Sequence, residues 1–318
     1  MTDVRWGILG AGWIVQQATG AALRSAHGAS LQVVAARDLG RAQAVGAARS
    51  VTDYRAVVEA DDVDAIYIAL SNDAHLPWIL AAVEAGKHVV CEKPLTLSPR
   101  DTRSAFAAAD NAGVLLVEAV WSRWHPRIER IVELSRSGEL GDIENYLGTF
   151  TFPEVTPGNY RLEAERGGGA LLDVGIYPLH VLAACLPGTA FRLTSVEGNE
   201  SNGVDLTTRA ALEWEHGRAS IAGSFEMPES QRLAIHGSAE TVTIDDDQAF
   251  TSWRVPTSLT IGSHAERFEP VDAYQRMFES VTARILGADA WVMPREDSER
   301  VAHLVELIQQ CSGGPSAQ

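Results

Sequence analysis

Two stretches of this chain set reactive side chains where ordinary surface residues need no such setting. The first is VVCEKPLTLS, residues 89–98, in which an apolar run ends in Glu92, Lys93 and Pro94. Proline fixes its own φ and biases the preceding residue toward an extended conformation, so Lys93 is carried on a stiff turn at the mouth of a buried strand. An ammonium held at a defined point stabilises negative charge developing on a reacting oxygen. The second is ERGGGALLDVGIYPLH, residues 165–180. Asp173 and Tyr177 are four apart, which puts both on one face if the segment is helical, and His180 follows three further on. Pro178 either occupies a first turn or marks a kink, and Asp173 could then be a cap instead. The bland alternatives are a solvated lysine, a half-buried packing tyrosine and a core histidine.

The elements that must position these groups are legible from hydrophobic patterning. Strands are expected at 5–9, 31–37, 65–70, 88–91 and 114–118, alternating with helices at 16–25, 41–48, 76–85 and 98–111. That alternation implies βαβ units and a parallel, doubly wound sheet covered on both faces. Gly10 and Gly12 of GAGWIV fall in the first strand-to-helix turn. Gly10 permits the tight turn, and Gly12 lets the backbone approach a pyrophosphate resting on the helix N-terminus. The third small residue of the dinucleotide fingerprint is Val15 here, which should push that helix slightly away from the strand. The second strand ends VVAARDLGRA. Ala36 stands where an NAD site usually carries an acid for the ribose 2′-hydroxyl, and Arg37 follows, suited to a 2′-phosphate. A register two residues later would restore an acid at Asp38, so NADP is favoured with NAD possible. Ligands of such sheets bind beyond the carboxyl ends of the strands, the edge that also carries Lys93.

Composition narrows the class. The chain has 318 residues, room for two domains, and 46% are hydrophobic. With 26 basic and 42 acidic residues the net charge is −16. That argues against a nucleic acid or an anionic membrane surface as partner, because both reward clustered Lys and Arg. Cys91, Cys185 and Cys311 are far apart and form no metal-ligand spacing, so reduced thiols in a cytoplasmic protein are expected. No signal-peptide pattern and no apolar segment long enough to cross a bilayer is read. Further strands are expected at 145–152, 195–199, 207–214, 219–225, 232–236 and 241–245, and helices at 273–286 and 298–310. The acidic run 245–247 reads as a solvated turn.

GILGAGWI, the Asn72–His75 pair in LSNDAHL, CEKP, EAVWSRWHP and GGGALLDVGIYPLH occur in the order found in the glucose–fructose oxidoreductase / inositol dehydrogenase family, which this chain resembles. RWGI, ARDLGRA and ALLDVGIY are closest to its NADP-dependent dimeric dihydrodiol dehydrogenase and D-xylose dehydrogenase branch. The resemblance implies a Rossmann domain over residues 1–119 and, over 120–318, a substrate-binding and dimerisation domain with a large, mostly antiparallel open sheet whose exposed face forms a homodimer or a higher assembly. It implies cofactor contacts from Gly10, Gly12, Trp13, Ile14, Arg37, Asp38, Leu70, Asn72, His75, Glu92 and Lys93, and no metal.

The resemblance further implies hydride transfer between NADP(H) and a sugar, polyol or related carbonyl or diol substrate. Lys93, Asp173 and Tyr177 are the implied catalytic residues. Tyr177 exchanges the proton, Lys93 supplies positive charge, and Asp173 holds Lys93 or a substrate hydroxyl. Trp121, Arg123, Arg161 and His180 are candidate substrate contacts, with interdomain packing and loop solvation as alternatives. Two other functions share the fold: a cofactor-recycling glycosidase, which should depart from EKP, and a cofactor-binding regulator, which tolerates loss of Lys93, Asp173 or Tyr177. Both departures are absent from this chain.

Overall fold

The structure, a computed structural model, describes residues 3–244 and 247–312 and falls into two compact units. Unit one comprises Met1–Trp124 and Asp272–Glu296. Its strands are β1 (Val4–Leu9), β2 (Ala29–Ala35), β3 (Arg49–Val51), β4 (Ala65–Ile68), β5 (His88–Glu92) and β6 (Leu116–Ala119). All pair in parallel, in the order β3-β2-β1-β4-β5-β6. Strands covered on both faces should read as unbroken apolar runs. Every residue of β4 and β6 is buried accordingly. The order reverses direction between β1 and β4, which opens a crevice at their carboxyl ends.

Helices α1 (Gly20–Ser25), α2 (Leu39–Ala44), α3 (Arg55–Val58), α4 (Asn72–Glu84) and α5 (Pro99–Ala112) connect these strands. The ends of α5 show the local chemistry plainly. Ser98 accepts from Asp101 N, Pro99 opens the helix, and Gly113 closes it in the left-handed region. Sequence patterning missed β3 and α3, which are too short and polar to show a period.

The expected division at 119/120 gives residues 272–296 to the second domain, whereas helix α8 (Ala273–Ile285) clusters with unit one, which itself runs on to Trp124. The reason is aromatic packing. Phe278 meets Trp6 edge-on at 5.5 Å and Tyr67 at 5.2 Å, and Trp6 Nε1 donates to Thr282 Oγ1 at 3.2 Å. Each ring pair is worth about 0.5–1.5 kcal/mol beyond its burial. No linear pattern reveals which sheet will receive an amphipathic helix's apolar stripe.

Unit two comprises His125–Val271 and Asp297–Gln318. Its strands are β7 (Ile143–Thr151), β8 (Arg192–Ser201), β9 (Val204–Trp214), β10 (Gly217–Ser224), β11 (Ser230–Gly237), β12 (Thr241–Ile244), β13 (Thr257–Ile261) and β14 (His264–Phe268). They form one sheet, β14-β13-β12-β11-β7-β10-β9-β8, antiparallel except for β7 with β10. Helices α6 (Pro126–Ser137), α7 (Ile176–Cys185) and α9 (Arg295–Ser312) complete the set. β13, β14 and α6 were not anticipated. α6 carried its own punctuation, with His125 capping, Pro126 at the first position and Gly138 just past the end.

One helical stretch, Ala164–Cys185, does have the length and apolarity to cross a bilayer, contrary to expectation. Its apolar window is 94% buried inside the protein, as befits a core helix. Of the acidic run at 245–247 only Asp247 lies among the described residues, where it pairs with Arg232; Asp245 and Asp246 lie outside them. Cys91 and Cys185 are buried, Cys311 is exposed, and all three are free thiols. Burial pushes the Cys91 thiol well above its usual range, so it acts as an apolar filler.

Candidate functional site

The turn after β1 is built for a close approach. Gly10 has φ 104° and donates its N–H to the Ala35 carbonyl at 2.8 Å. A Cβ there would collide with the Ala69 carbonyl at the end of β4, so no other residue fits. Gly12 differs: a Cβ would meet nothing within 4 Å, which leaves its backbone open on that side. Trp13 is 75% exposed and begins the helix with Ile14. Val15, buried and too large for the third fingerprint position, begins a π-helical turn over Val15–Thr19 before regular α1 resumes at Gly20. Gly20 then supplies the close contact, where a Cβ would lie 2.7 Å from the Val15 carbonyl and 2.8 Å from Val45.

β2 ends at Ala35, and Ala36 is buried just beyond it. Asp38 is engaged as the N-cap of α2, accepting from Arg41 N at 3.1 Å. Arg37 is exposed and makes no hydrogen bond or ion pair among the described residues. Arg41, which sequence reasoning passed over, is exposed four residues on, its carbonyl held by Gln16 Nε2 at 2.7 Å. The repeated arginine spacing in RDLGR was the available signal. Glycine turn, open backbone and an exposed cation beside an occupied carboxylate fit a dinucleotide bearing a 2′-phosphate.

The Lys93 turn is fastened from several sides. His75, fully buried in α4, sets Nδ1 2.8 Å from the Pro94 carbonyl and Nε2 3.2 Å from the Leu70 carbonyl. It thereby joins the ends of β4 and β5. Burial pushes its imidazole below the usual range, so it is neutral and donates to one carbonyl at a time. Glu118, 3% exposed on β6, accepts from Leu95 N at 2.9 Å. Glu92 accepts from the buried Tyr67 hydroxyl and from Lys93 N at 3.3 Å. Burial, then the Glu92 charge, pushes the Tyr67 phenol well above its usual range, so it remains a donor. The Lys93–Pro94 peptide is cis. Asn72 is buried in the first turn of α4. Glu118 and Tyr67 were missed as supports because each reads as part of an apolar strand.

Trp121 and Arg123 are 3% and 4% exposed. Trp121 stacks on Tyr274 with centroids 4.4 Å apart, and the Arg123 guanidinium lies over Trp291 at 5.7 Å. Both contacts lie within unit one, not at an interdomain surface.

In unit two, Asp173 lies in a π-helical turn, Leu171–Gly175, and Tyr177 follows in the first turn of α7, with Pro178 next to it. The helix therefore persists through the proline, which occupies a first turn after a widened one. The Tyr146 hydroxyl on β7 donates to the Pro178 carbonyl at 2.7 Å. Tyr177 is 7% exposed, its ring 5.5 Å from Phe150 and 6.3 Å from Phe250. Asp173 is not a cap: Arg161 Nε donates to its Oδ2 at 2.6 Å. Asn159 accepts from Arg161 N at 3.1 Å and so shapes the loop. His180 is fully buried one turn after Tyr177. No cluster of three or more metal-ligating side chains occurs among the described residues.

The glycine run has a structural cause. A Cβ on Gly168 would lie 2.5 Å from the Arg161 carbonyl, which accepts from Gly169 N at 3.0 Å. Gly169 has φ 128°, and a Cβ there would collide with Asp205 Oδ1. Asp205 in turn accepts from Leu171 N and Thr208 Oγ1, each at 2.8 Å, and so caps the helix that carries Asp173. Burial raises the Asp205 carboxyl above its usual range.

Residues 4–120 match the model of the oxidoreductase family with an NAD-binding Rossmann fold, and residues 128–243 match the GFO/IDH/MocA C-terminal domain. The chain is 33% identical over 319 residues to an NADP(+)-dependent D-xylose 1-dehydrogenase of Haloferax volcanii, covering 96% of each. It is 32% identical over 279 residues to the trans-1,2-dihydrobenzene-1,2-diol dehydrogenase of Mus musculus, covering 84% of this chain and 80% of that one. Among solved structures, a 3-ketoreductase from Actinomadura kijaniata in complex with NADP and TDP-benzene superposes with a TM-score of 0.88 at 28% identity, covering 98% of both chains. With matched domains over most of its length and relatives of this identity and coverage, the chain belongs to the GFO/IDH/MocA oxidoreductase family.

Proposed function

We propose that this protein is an NADP(H)-dependent oxidoreductase that moves a hydride between the cofactor and the carbinol or carbonyl carbon of a sugar, polyol or related diol. The observation that carries the reading is the fastened Lys93 turn. His75, Glu92 and Glu118 fix a cation at the carboxyl edge of a parallel sheet, on the edge that bears the Gly10–Gly12 turn. Support for substrate class comes from relatives named for D-xylose, a dihydrobenzenediol and a dTDP-dideoxysugar.

When bound, the nicotinamide supplies or accepts the hydride at its C4. The chain's residues do the rest. Gly10 and Gly12 receive the pyrophosphate, and Arg37, with Arg41 beside it, receives the 2′-phosphate. In alcohol oxidation the Tyr177 phenolate takes the hydroxyl proton as the carbinol hydride leaves; in reduction the phenol returns it to the alkoxide. By family resemblance, Lys93 supplies positive charge to the reacting oxygen. The proposal includes a homodimer formed through the open sheet of unit two and a cytoplasmic location. Family resemblance supports the first, and the acidic net charge of −16 with three free thiols supports the second.

The test is a parallel titration with NADP⁺ and NAD⁺ followed by tryptophan fluorescence. A panel of aldoses, diols and dicarbonyls is then assayed for NADP(H) turnover, with Lys93→Met as control. Tight NADP⁺ binding and turnover abolished in the control are expected. Failure to bind either cofactor, or turnover that survives in Lys93→Met, refutes the reading.

A further inference from the structure

We propose that Arg161 is a positioning residue for the reaction: it holds Asp173 as a fixed carboxylate and presents a positive charge to the Tyr177 phenol. The inference deepens the oxidoreductase reading and rests on it for the reaction, though not for the geometry. It replaces the expectation that Arg161 meets substrate or solvent.

Arg161 is tied down at both ends. Its N–H is held by Asn159 Oδ1 at 3.1 Å, and its carbonyl by Gly169 N at 3.0 Å. Gly169 is also the residue whose carbonyl accepts from Asp173 N, at 3.0 Å. The guanidinium then returns to the same turn, with Nε 2.6 Å from Asp173 Oδ2, while the Tyr160 ring covers it at 5.3 Å. A long side chain anchored at its backbone and at its head loses the freedom that weakens surface ion pairs. The two side chains are 33% and 8% exposed, so the pair sits mostly out of water.

Phe150 of β7 and Phe250 face the Tyr177 ring and carry no charge. Its own helix contributes Asp173 one turn before and His180 one turn after. Asp205 of β9 is held at the start of that helix by Leu171 N. The loop preceding the helix contributes Arg161, with Arg166 over the far partner Tyr160 at 5.7 Å and paired to Glu163 at 3.6 Å. A carboxylate one turn from a phenol opposes its ionisation, and a paired guanidinium offsets that opposition. Burial works against the charge on Arg161, yet the Asp173 carboxylate and, more weakly, Tyr160 and Tyr177 hold it above its usual range.

The test titrates the phenol directly. Protein labelled with ¹³Cζ-tyrosine is followed by NMR against pH, and Tyr177→Phe assigns the Tyr177 signal. In Arg161→Gln the Tyr177 midpoint should rise by about one unit or more, and in Arg161→Lys by less. With the best substrate of the panel, the ascending, acidic limb of kcat for alcohol oxidation should move upward by the same amount, while the Kd for NADP⁺ stays within about twofold. If Arg161→Gln does not fold, Asp173→Asn is compared with Asp173→Asn/Arg161→Gln, which leaves no orphaned charge, and the same upward shift is expected. An unchanged Tyr177 midpoint in these comparisons, or equal shifts in the Gln and Lys variants, overturns the proposal. A shifted midpoint in a protein that turns over no substrate leaves the coupling standing and refutes the oxidoreductase reading instead.

Discussion

Gly169→Ala should destabilise unit two by about 3–5 kcal/mol, and the origin of that figure is local. At φ 128° an alanine enters a region populated almost solely by glycine, at a cost of about 1–3 kcal/mol. Its Cβ also displaces the Asp205 carboxylate, which holds Leu171 N and Thr208 Oγ1 at 2.8 Å each. Hydrogen bonds to a charged group contribute roughly 1.5–3 kcal/mol apiece. Part of that loss is recovered as the buried carboxylate moves toward water, since burial is what raises its pKa. The assay is urea unfolding of Gly169→Ala, Asp205→Ala and the double variant, monitored by circular dichroism. In the Asp205→Ala background only the backbone cost of about 1–3 kcal/mol should remain, so the two changes must be non-additive. A loss under about 1 kcal/mol for Gly169→Ala, or strict additivity in the cycle, refutes the claim that Gly169 is needed to admit Asp205.

Arg37→Ala should weaken NADP⁺ binding by roughly tenfold or more and leave NAD⁺ binding unchanged, as equilibrium titrations in low and moderate salt would reveal. Equal losses for both cofactors would point to misfolding rather than a missing phosphate partner. Tyr177→Phe should lower kcat about 10²–10⁴-fold with cofactor affinity preserved, because only the proton-transfer group is removed; steady-state kinetics beside fluorescence titration separate the two. The fully buried imidazole of His75 and the half-buried one of His88 both sit below their usual 6.5. The unfolded chain therefore binds the protons more readily, so their stabilising contribution is intact above about pH 6.5 and is lost as pH falls through the depressed folded values. Melting temperature should drop across that window, and His75→Asn should flatten the slope; a slope identical to wild type would exclude His75 as its source.

The parts of the fold that the sequence made legible are those where one local rule dominates. Unbroken apolar runs marked β1, β4 and β5, since strands buried on both faces tolerate little else. Glycine at 10 marked the nucleotide turn because a tight turn beside another strand's carbonyl excludes every Cβ, and Gly12 beside it leaves the backbone open. What stayed hidden depends on partners distant in sequence. Nothing near Phe278 announces that Trp6 and Tyr67 will receive it. Arg161 is a loop cation on its own segment, and only the fold shows its head group against Asp173 twelve residues on. Pro178 left a first turn and a kink both open, and the structure puts it in the first turn of α7, after a widened one.

The candidate chemical groups share one arrangement: each is held by a residue that itself transfers nothing. Lys93 rests on a turn clamped by His75 and Glu118, and Asp173 on an arginine clamped by the glycine run. His75 and Glu118 are buried and Arg161 is partly so, and the hydrogen bonds of such groups are costly to leave unmade. Removing a holder therefore strikes stability and geometry together, whereas removing a held group strikes chemistry alone. That asymmetry supplies a criterion for sorting variants of this protein. Substitutions at Lys93 or Tyr177 should lose rate at nearly constant melting temperature, and substitutions at His75, Glu118 or Arg161 should lose both. A charged residue whose loss lowers stability without touching the pH profile belongs to the scaffold, however near the glycine turn or Tyr177 it lies.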